Sequence, residues 1–292
     1  TTVMFEERYI RFDWAAKRML RDKANYAVLE GLMTVLIGEE VKIEEILESE
    51  GNQNAPDDKY NRVDVMARNS KGEFIIVEVQ LSREVHFLER MLYGVSKVVT
   101  DNMRLGEVYE KVKKVYSINI LYFPLGQGKD YVYHGTTHFV GLHTGDELGI
   151  TPYEVEALGM RAPKDVFPEY YIIRVNEFND VAKTPLEEWL DYLKNGRVRK
   201  DTSAPGLQEV RNKLQYLTLD EKERRAYERH LENQAIQDDV METARKEGRA
   251  EGRAEGRAEA LKESALKMKA KGIPVETIAE VIPLTVEEIA AL

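Results

Sequence analysis

Three polar side chains in one short stretch of the chain have the types and spacing needed to bind a divalent cation. Two of them, Glu78 and Gln80, lie in the run FIIVEVQ (residues 74–80), whose β-branched and aromatic residues predict a strand buried on both faces. An unpaired carboxylate in such a strand costs several kcal/mol, so Glu78 requires a partner. Residues two apart on a strand point the same way, so Glu78 and Gln80 share one face.

The third residue, Asp64, reaches that face if the preceding segment folds back as a β-hairpin. The first arm is RVDVMA (residues 62–67) and the turn is NSKG (residues 69–72). With a three-residue loop and Gly72 in the left-handed conformation, opposed residue numbers sum to about 142, which places Asp64 across from Glu78. A four-residue loop without a bulge would put Asp64 on the wrong face, so the sequence leaves both registers open.

Two carboxylates and an amide at one place form a set of hard oxygen ligands that suits Mg²⁺ or Mn²⁺. The pattern of Asp, about a dozen residues and Glu-x-Gln on a hairpin resembles the motif of the PD-(D/E)XK nucleases. More narrowly, VDVMARNSKGEFIIVEVQ followed by ERMLYGVSK is similar to the family of recombination-promoting nucleases and transposases. In that family Gln stands where the wider superfamily has Lys. The resemblance covers most of residues 10–200.

The resemblance implies an α/β core with a mixed central sheet and metal-dependent endonucleolytic cleavage of DNA that promotes recombination. Asp64 and Glu78 would hold the metal, with the backbone carbonyl of Val79 as a further ligand. The metal would activate a water molecule and stabilise the transition state, while Gln80 would orient that water without neutralising charge. Many enzymes of the superfamily add a Glu from the first core helix. Glu30, in a helix predicted from Ala24 to Ile37, is the candidate, and a solvated helix residue is the alternative.

A second helix is predicted after the motif, from about Arg83 to Asn102, with Ser82 as its N-cap and Glu84 in its first turn. One face of this helix carries His86, Arg90, Tyr93 and Lys97. Such a face is often ordinary solvated surface, but the family has a similar Arg-x-x-Tyr-x-x-x-Lys spacing. The resemblance therefore implies that Arg90, Tyr93 and Lys97 bind the DNA substrate, with Lys97 supplying the positive charge that Gln80 lacks.

Other segments complete the predicted core. FDWAAK (residues 12–17) opens a short helix that is similar to the family's Asp-x-x-Phe-Lys start, with Ala16 in the aromatic position. Residues 41–50, 114–123, 130–140 and 170–175 predict strands, and Thr184 caps a helix over 185–194. The histidines at 134, 138 and 143 match no standard zinc spacing.

Composition limits the class of protein. The 292 residues suffice for one sizeable core plus an appendage, and the lack of cysteine removes disulfides and thiolate metal sites. No apolar run reaches membrane-spanning length and TTVMFEERYI lacks a signal peptide's apolar core, so we expect a cytoplasmic protein without membrane contact. The net charge of −10 argues against a generic nucleic-acid coat but not against a nuclease, because a metal site needs carboxylates.

Beyond a nuclease domain of residues 1–200 we expect a charged helical segment, 201–262, and a small helical unit, 263–292. The first contains EGRAEGRAEGRAEA (residues 247–260), in which Glu and an Arg two later recur every four residues, which suggests oppositely charged neighbours along a helix. Glycine recurs at the same period and costs about 1 kcal/mol relative to alanine in a helix. The repeat is therefore interpreted either as a dimerising or hinge helix or as a flexible spacer.

The last unit has helix signals at Gly272, Pro274, Pro283 and Thr285. Its helix–turn–helix cadence is typical of DNA binding, but the acidic final helix VEEIAAL suits a major groove poorly, which favours oligomerisation. We expect a homodimer or larger oligomer formed through residues after about 200, in which a second copy covers an apolar stripe. The stripe consists of Leu261, Ala265, Ile278, Ile282 and Ile289.

Two functions from other classes are also consistent with the sequence. A catalytically weak or inactive DNA-binding or assembly protein would keep the fold; the acidic charge and Gln80 favour it, and the retained Asp64 and Glu78 oppose it. A structural oligomer driven by the tail would need no chemistry at all.

Overall fold

A computed structural model describes residues 9–18, 20, 22–47, 64–103, 109, 112–159 and 162–292. The chain divides between Lys222 and Glu223 into two compact units. None of the helices in the described ranges combines the length and apolar character needed to span a bilayer.

The described part of the first unit is built on a six-stranded mixed sheet with the order β1-β2-β3-β4-β6-β5. The central pairs β3–β4 and β4–β6 are parallel, and the flanking pairs are antiparallel. This sheet confirms the mixed α/β core expected from the sequence. The strands are β1 (Ile43–Leu47), β2 (Val65–Asn69), β3 (Phe74–Gln80), β4 (Val115–Leu121), β5 (Val132–Gly135) and β6 (Glu169–Arg174).

The predicted helices of the first unit are present, one of them with a displaced start, and the helix Pro152–Leu158 was not predicted. The helix after the motif begins at Phe87 with His86 as its N-cap, so the predicted start at Arg83 with Ser82 as the cap is wrong. The predicted capping box at Thr184 is confirmed. The helices are α1 (Phe12–Arg18), α2 (Tyr26–Ile37), α3 (Phe87–Asp101), α4 (Pro152–Leu158), α5 (Pro185–Asn195) and α6 (Leu207–Lys213).

The hairpin of β2 and β3 adopts the register that brings Asp64 towards Glu78. Val65 pairs with Val77, so opposed residue numbers sum to 142, as predicted for a three-residue loop. Gly72 has a φ of 76°, in the left-handed region that glycine adopts readily, and its amide donates to the Asn69 carbonyl at 2.9 Å. The four-residue alternative is therefore excluded.

Helix α3 covers the sheet face that carries the site. On this face Phe74 and Ile76 pack with Val95 and Val98 of α3 in one buried cluster. The even-numbered positions of β3 continue along the same face to Glu78 and Gln80. The packing of α3 therefore fixes its N-terminal turns beside the polar end of β3.

Two glycines attach residues beyond 200 to the first unit. A Cβ atom on Gly31 of α2 would lie 2.3 Å from the Cα of Gly206, and one on Gly206 would lie 2.9 Å from the ring of Trp189. The Trp189 indole N–H also donates to the Pro205 carbonyl at 2.8 Å. Because of this contact the first unit extends to Lys222, about twenty residues past the boundary expected at 200.

The second unit consists of helices, and the helix boundaries predicted for its C-terminal part are confirmed. The charged repeat is helical throughout, and Thr285 and Glu288 form the expected capping box. Gly272, in the left-handed region, follows the end of the long helix. The helices are α7 (Glu221–Ala270), α8 (Val275–Val281) and α9 (Val286–Ala291).

The apolar stripe of the tail is covered within one chain. Ala265, Ile278, Ile282 and Ile289 are buried against one another, and Leu261 packs beside them partly buried. The end of α7 thus folds with α8 and α9 into a small core of its own. The expectation that a second copy must cover this stripe is therefore wrong.

We expect Gly31→Ala to lower the free energy of unfolding by about 1–3 kcal/mol, the usual cost of overpacking a tight contact. The added methyl group has only backbone atoms of residues 205 and 206 to displace. Thermal or urea unfolding of the full chain measures the effect. Gly149→Ala is the matched control, because a Cβ there meets nothing within 4 Å. Equal unfolding midpoints for the two variants would contradict the proposed role of the close contact between Gly31 and Gly206.

Candidate active site

Asp64 and Glu78 lie next to each other at the end of the hairpin. Asp64 directly precedes β2, and its Oδ2 accepts a hydrogen bond of 2.7 Å from the backbone N–H of Val79. Glu78 is 5% exposed, and the other buried residues of β3 are all apolar. The register and the hydrogen bond together place two carboxylates at one point of the sheet.

Burial raises the pKa values of both carboxyl groups. For Glu78, desolvation outweighs the positive charge of Arg90 and raises the pKa to about 7, with smaller contributions from the charges of Asp64 and Glu84. For Asp64, desolvation also dominates, and the pKa lies above its usual value despite the Val79 N–H and the charges of Lys17 and Arg90. A bound cation would stabilise the ionised form of both groups.

The oxygens at this point fit a hard cation. In the described part of the chain Glu78 Oε1 is buried, forms an ion pair with Arg90 and accepts no hydrogen bond. The N–H and C=O of one strand residue point to the same side, so the Val79 carbonyl points to the side on which its N–H meets Asp64. Among the described residues no group of three or more acidic or histidine side chains could hold a metal. Two carboxylates still suffice for Mg²⁺, which commonly keeps several waters and binds substrate phosphates.

A lysine from the N-terminal helix reaches the carboxylate pair. Lys17 of α1 lies with its Nζ 3.7 Å from Asp64 Oδ1, and its side chain is 48% exposed. One turn earlier, the buried Asp13 accepts a hydrogen bond of 3.0 Å from Arg11 Nε. The negative charge of Asp13 also contributes to raising the pKa of Asp64. Helix α1 therefore adds both an acid and a base to the site.

The β3–α3 connection and the start of α3 add a second set of charges. Arg90 contacts Glu78 through one terminal nitrogen and Glu84 Oε1 through the other, the latter at 2.5 Å. The same Glu84 oxygen accepts a hydrogen bond of 2.8 Å from the Gln80 side-chain amide. Glu84 precedes the first residue of α3, so it lies in the connection and not in the first helical turn predicted for it.

The structure does not bring every candidate to the carboxylate pair. Glu30 accepts a hydrogen bond of 2.8 Å from the backbone N–H of Ile43, which pairs with Asn69 at the turn end of the hairpin. That end lies roughly 16 Å along β2 from Asp64, at about 3.3 Å per residue. Glu30 thus holds β1 in place, and its assignment as a metal ligand is wrong.

The predicted phosphate-binding face of α3 is only partly at the site. Arg90 contacts the carboxylates, whereas Lys97 lies two helical turns away and pairs with Asp101 at 3.2 Å. Tyr93 is half-buried between them on the same helix. Of these two lysines, Lys17 lies at the carboxylate pair and Lys97 does not, so a positive charge at the pair is offered by α1 and not by Lys97.

Four contributors were not recognised from the sequence. Lys17 and Asp13 carried a signal, a charged pair four residues apart at the helix whose start resembled the family's. Glu84 was assigned to a helix. Asn119 is buried on β4 directly beside Glu78, and it could have been recognised from the sequence as a polar residue in a strand predicted to belong to the core.

Comparison with known proteins agrees with the geometry. No curated protein and no solved structure matches the chain. A family model described as PD-(D/E)XK nuclease family transposase matches residues 10–158. The matched range contains the hairpin, α1 and α3, and thus every residue placed at the carboxylate pair. The chain belongs to the PD-(D/E)XK nuclease family transposases.

Proposed function

We propose that the protein is a metal-dependent endonuclease that hydrolyses DNA phosphodiester bonds and thereby promotes recombination or transposition-like events. The observation that carries the proposal is the juxtaposition of Asp64 and Glu78 across the hairpin. Family membership supports a nuclease or transposase-like function. Mg²⁺ or Mn²⁺ as the cofactor follows from the all-oxygen donor set.

In this mechanism Asp64, Glu78 and the Val79 carbonyl hold the cation. When bound, Mg²⁺ supplies Lewis-acid stabilisation of the phosphate and lowers the pKa of a bound water. Gln80, whose amide is held by Glu84, orients a water molecule by hydrogen bonding. Arg90 would have to give up Glu78 to a bound cation, and its other terminal nitrogen, held by Glu84, would keep the guanidinium beside the site, where it could bind a phosphate oxygen.

Lys17 has the role that the superfamily's motif lysine would have. Its ammonium lies 3.7 Å from Asp64 Oδ1, at ion-pairing distance. A neutral amide at position 80 cannot stabilise the charge that develops on the phosphate. A half-exposed lysine on α1, in contact with Asp64, can do so.

A second candidate function is a weakly active or inactive DNA-binding or assembly protein. The observation that favours it is the ion pair between Arg90 and Glu78, because a guanidinium there competes with a metal for the same oxygen. Cleavage assays with and without metal decide between the two candidates.

We also propose that DNA is the partner of the first unit and that the protein works as a homo-oligomer. Cutting both strands of a duplex takes two catalytic centres, which two copies of one chain supply.

We expect Asp64→Asn and Glu78→Gln each to reduce plasmid cleavage in Mg²⁺ or Mn²⁺ by roughly a hundredfold or more, the typical effect of losing one well-placed electrostatic group. EDTA should abolish cleavage. Glu45→Gln is the control, because this half-exposed carboxylate pairs with Arg68 at 2.7 Å on β1, away from the pair. Wild-type cleavage by Asp64→Asn would show that the reaction uses another site.

Moving the positive charge from position 17 to position 80 tests the role of Lys17. We expect Lys17→Ala to lower the single-turnover rate of cleavage at least tenfold with little change in melting temperature, since the side chain is half-exposed. Adding Gln80→Lys to that variant should restore much of the rate, because a cation returns to the motif position. If the double variant stays as slow as Lys17→Ala while remaining folded, charge supply is not what Lys17 provides.

The two cations of α3 should differ in effect. Arg90→Ala is expected to weaken DNA binding measured in Ca²⁺ more than Lys97→Ala does, because Arg90 lies beside the pair and Lys97 pairs with Asp101. Fluorescence anisotropy with a labelled duplex gives both affinities. A larger loss for Lys97→Ala would move the substrate path along α3, away from Glu78.

A further inference from the structure

The repeat in α7 arranges its residues in four rows along the helix. Residues 247–260 are helical and exposed. At about 100° per residue, a period of four places the rows around the helix in a fixed order. The glycine row has the arginine row on one side and the glutamate row on the other, with the alanine row roughly opposite. The glycine row is Gly248, Gly252 and Gly256.

These rows do not stabilise each other within one helix. The i,i+4 neighbours in the repeat are Glu with Glu and Arg with Arg, which is unfavourable, and residues two apart do not face each other. The prediction that the Glu–Arg spacing provides oppositely charged neighbours along the helix is therefore wrong. Among the described residues of α7, the i,i+4 ion pairs Lys246–Glu242 and Lys267–Glu263, at 2.7 and 2.6 Å, lie outside the repeat. Oppositely charged side chains that pair with these rows would therefore come from outside the helix.

We propose that a second copy of this chain supplies those charges, with the two repeat helices packed in parallel through their glycine rows. In a parallel pair with a twofold axis along the helices, each arginine row lies beside the glutamate row of the other copy. This match occurs on both sides of the contact. In an antiparallel pair, the arginine rows would lie beside each other, and so would the glutamate rows. Charge complementarity therefore indicates that the partner is a second copy of this chain and that the two helices are parallel.

Contact through the glycine rows brings the charged rows of the two copies close to each other. A Cβ added at any of the three glycines meets nothing within 4 Å, so a neighbouring backbone has room to approach there. Alanine is a better helix former than glycine, so three glycines in one row weaken the isolated helix. Close packing against a second helix, which the absence of Cβ atoms permits, can offset that loss. A four-residue period also matches the i±4 ridges that pack at a crossing angle near −50°.

This pairing does not depend on the nuclease function, and it differs from the apolar contact expected from the sequence. The buried stripe of the C-terminal unit is satisfied within one chain. The repeat, in contrast, presents self-complementary charge to another copy. Because such charges are exposed, the pairing should weaken as salt shortens the screening length to about 3 Å at 1 M.

Single cysteines in the full chain test the orientation, because the chain has no cysteine of its own. Under mild oxidation by oxidised glutathione, we expect Gly248→Cys, Gly252→Cys and Gly256→Cys each to form a disulfide-linked dimer on a non-reducing gel. Ala250→Cys and Ala254→Cys, on the opposite face, are the controls and should remain monomeric. In an antiparallel pair centred on 252, the two copies of residue 248 lie about 12 Å apart, beyond the reach of a disulfide. Cross-linking at 252 alone, or equally at the alanine positions, would overturn the proposal.

Charge reversal tests the pairing itself by light scattering of the full chain. Arg249, Arg253 and Arg257, all changed to Glu, should give a monomer at low salt, and so should the reversal of Glu251, Glu255 and Glu259 to Arg. An equimolar mixture of the two variants should regain the wild-type dimer mass. Circular dichroism of each variant checks that α7 remains helical. Wild-type dimerisation by either variant alone, or a monomeric wild-type chain at low salt, would contradict the proposal.

Discussion

The site depends on one constraint, the need to compensate a carboxylate buried in the middle of the sheet. Glu78 is almost inaccessible to solvent and belongs to a strand whose other buried residues are apolar. An uncompensated charge at such a position costs several kcal/mol, so the surrounding elements must supply protons or cations. The raised pKa and the contact with Arg90 are two such responses. Under the proposed function a divalent cation would be a third, and it would be the one that supports catalysis.

The part of the site that lies on the hairpin could be predicted because its geometry is local. A strand has a period of two, and a left-handed Gly72 sets the loop length, so the register of Asp64 against Glu78 follows from neighbouring residues alone. The same argument gives the direction of Gln80 and of the Val79 carbonyl. The fold class followed from the same strand together with the family resemblance.

The remainder could not be predicted because it comes from distant elements. Lys17 reaches Asp64 from a helix 47 residues earlier in the chain, and nothing in the local sequence fixes how α1 lies against the hairpin. Glu30 failed for the converse reason, since an acidic residue on a core helix can as well bind the backbone of an edge strand. The apolar stripe of the tail shows the same limit. A hydrophobic pattern states which residues must be buried, and it does not state whether the same chain or another copy buries them.

The charges around the site also bear on the order in which metal and DNA bind under the proposed function. Asp13, Asp64, Glu78 and Glu84 are acidic, whereas the basic groups in contact with them are Arg11, Lys17 and Arg90. Each base already faces an acid, so the metal-free site offers little net attraction to a phosphate backbone, in a chain with a net charge of −10. A divalent cation at this position would change the local field, because it would neutralise the carboxylate pair and compete with Arg90 for Glu78. Under the proposed function we therefore expect metal binding to precede productive DNA binding, so that the acidic composition is compatible with cleavage.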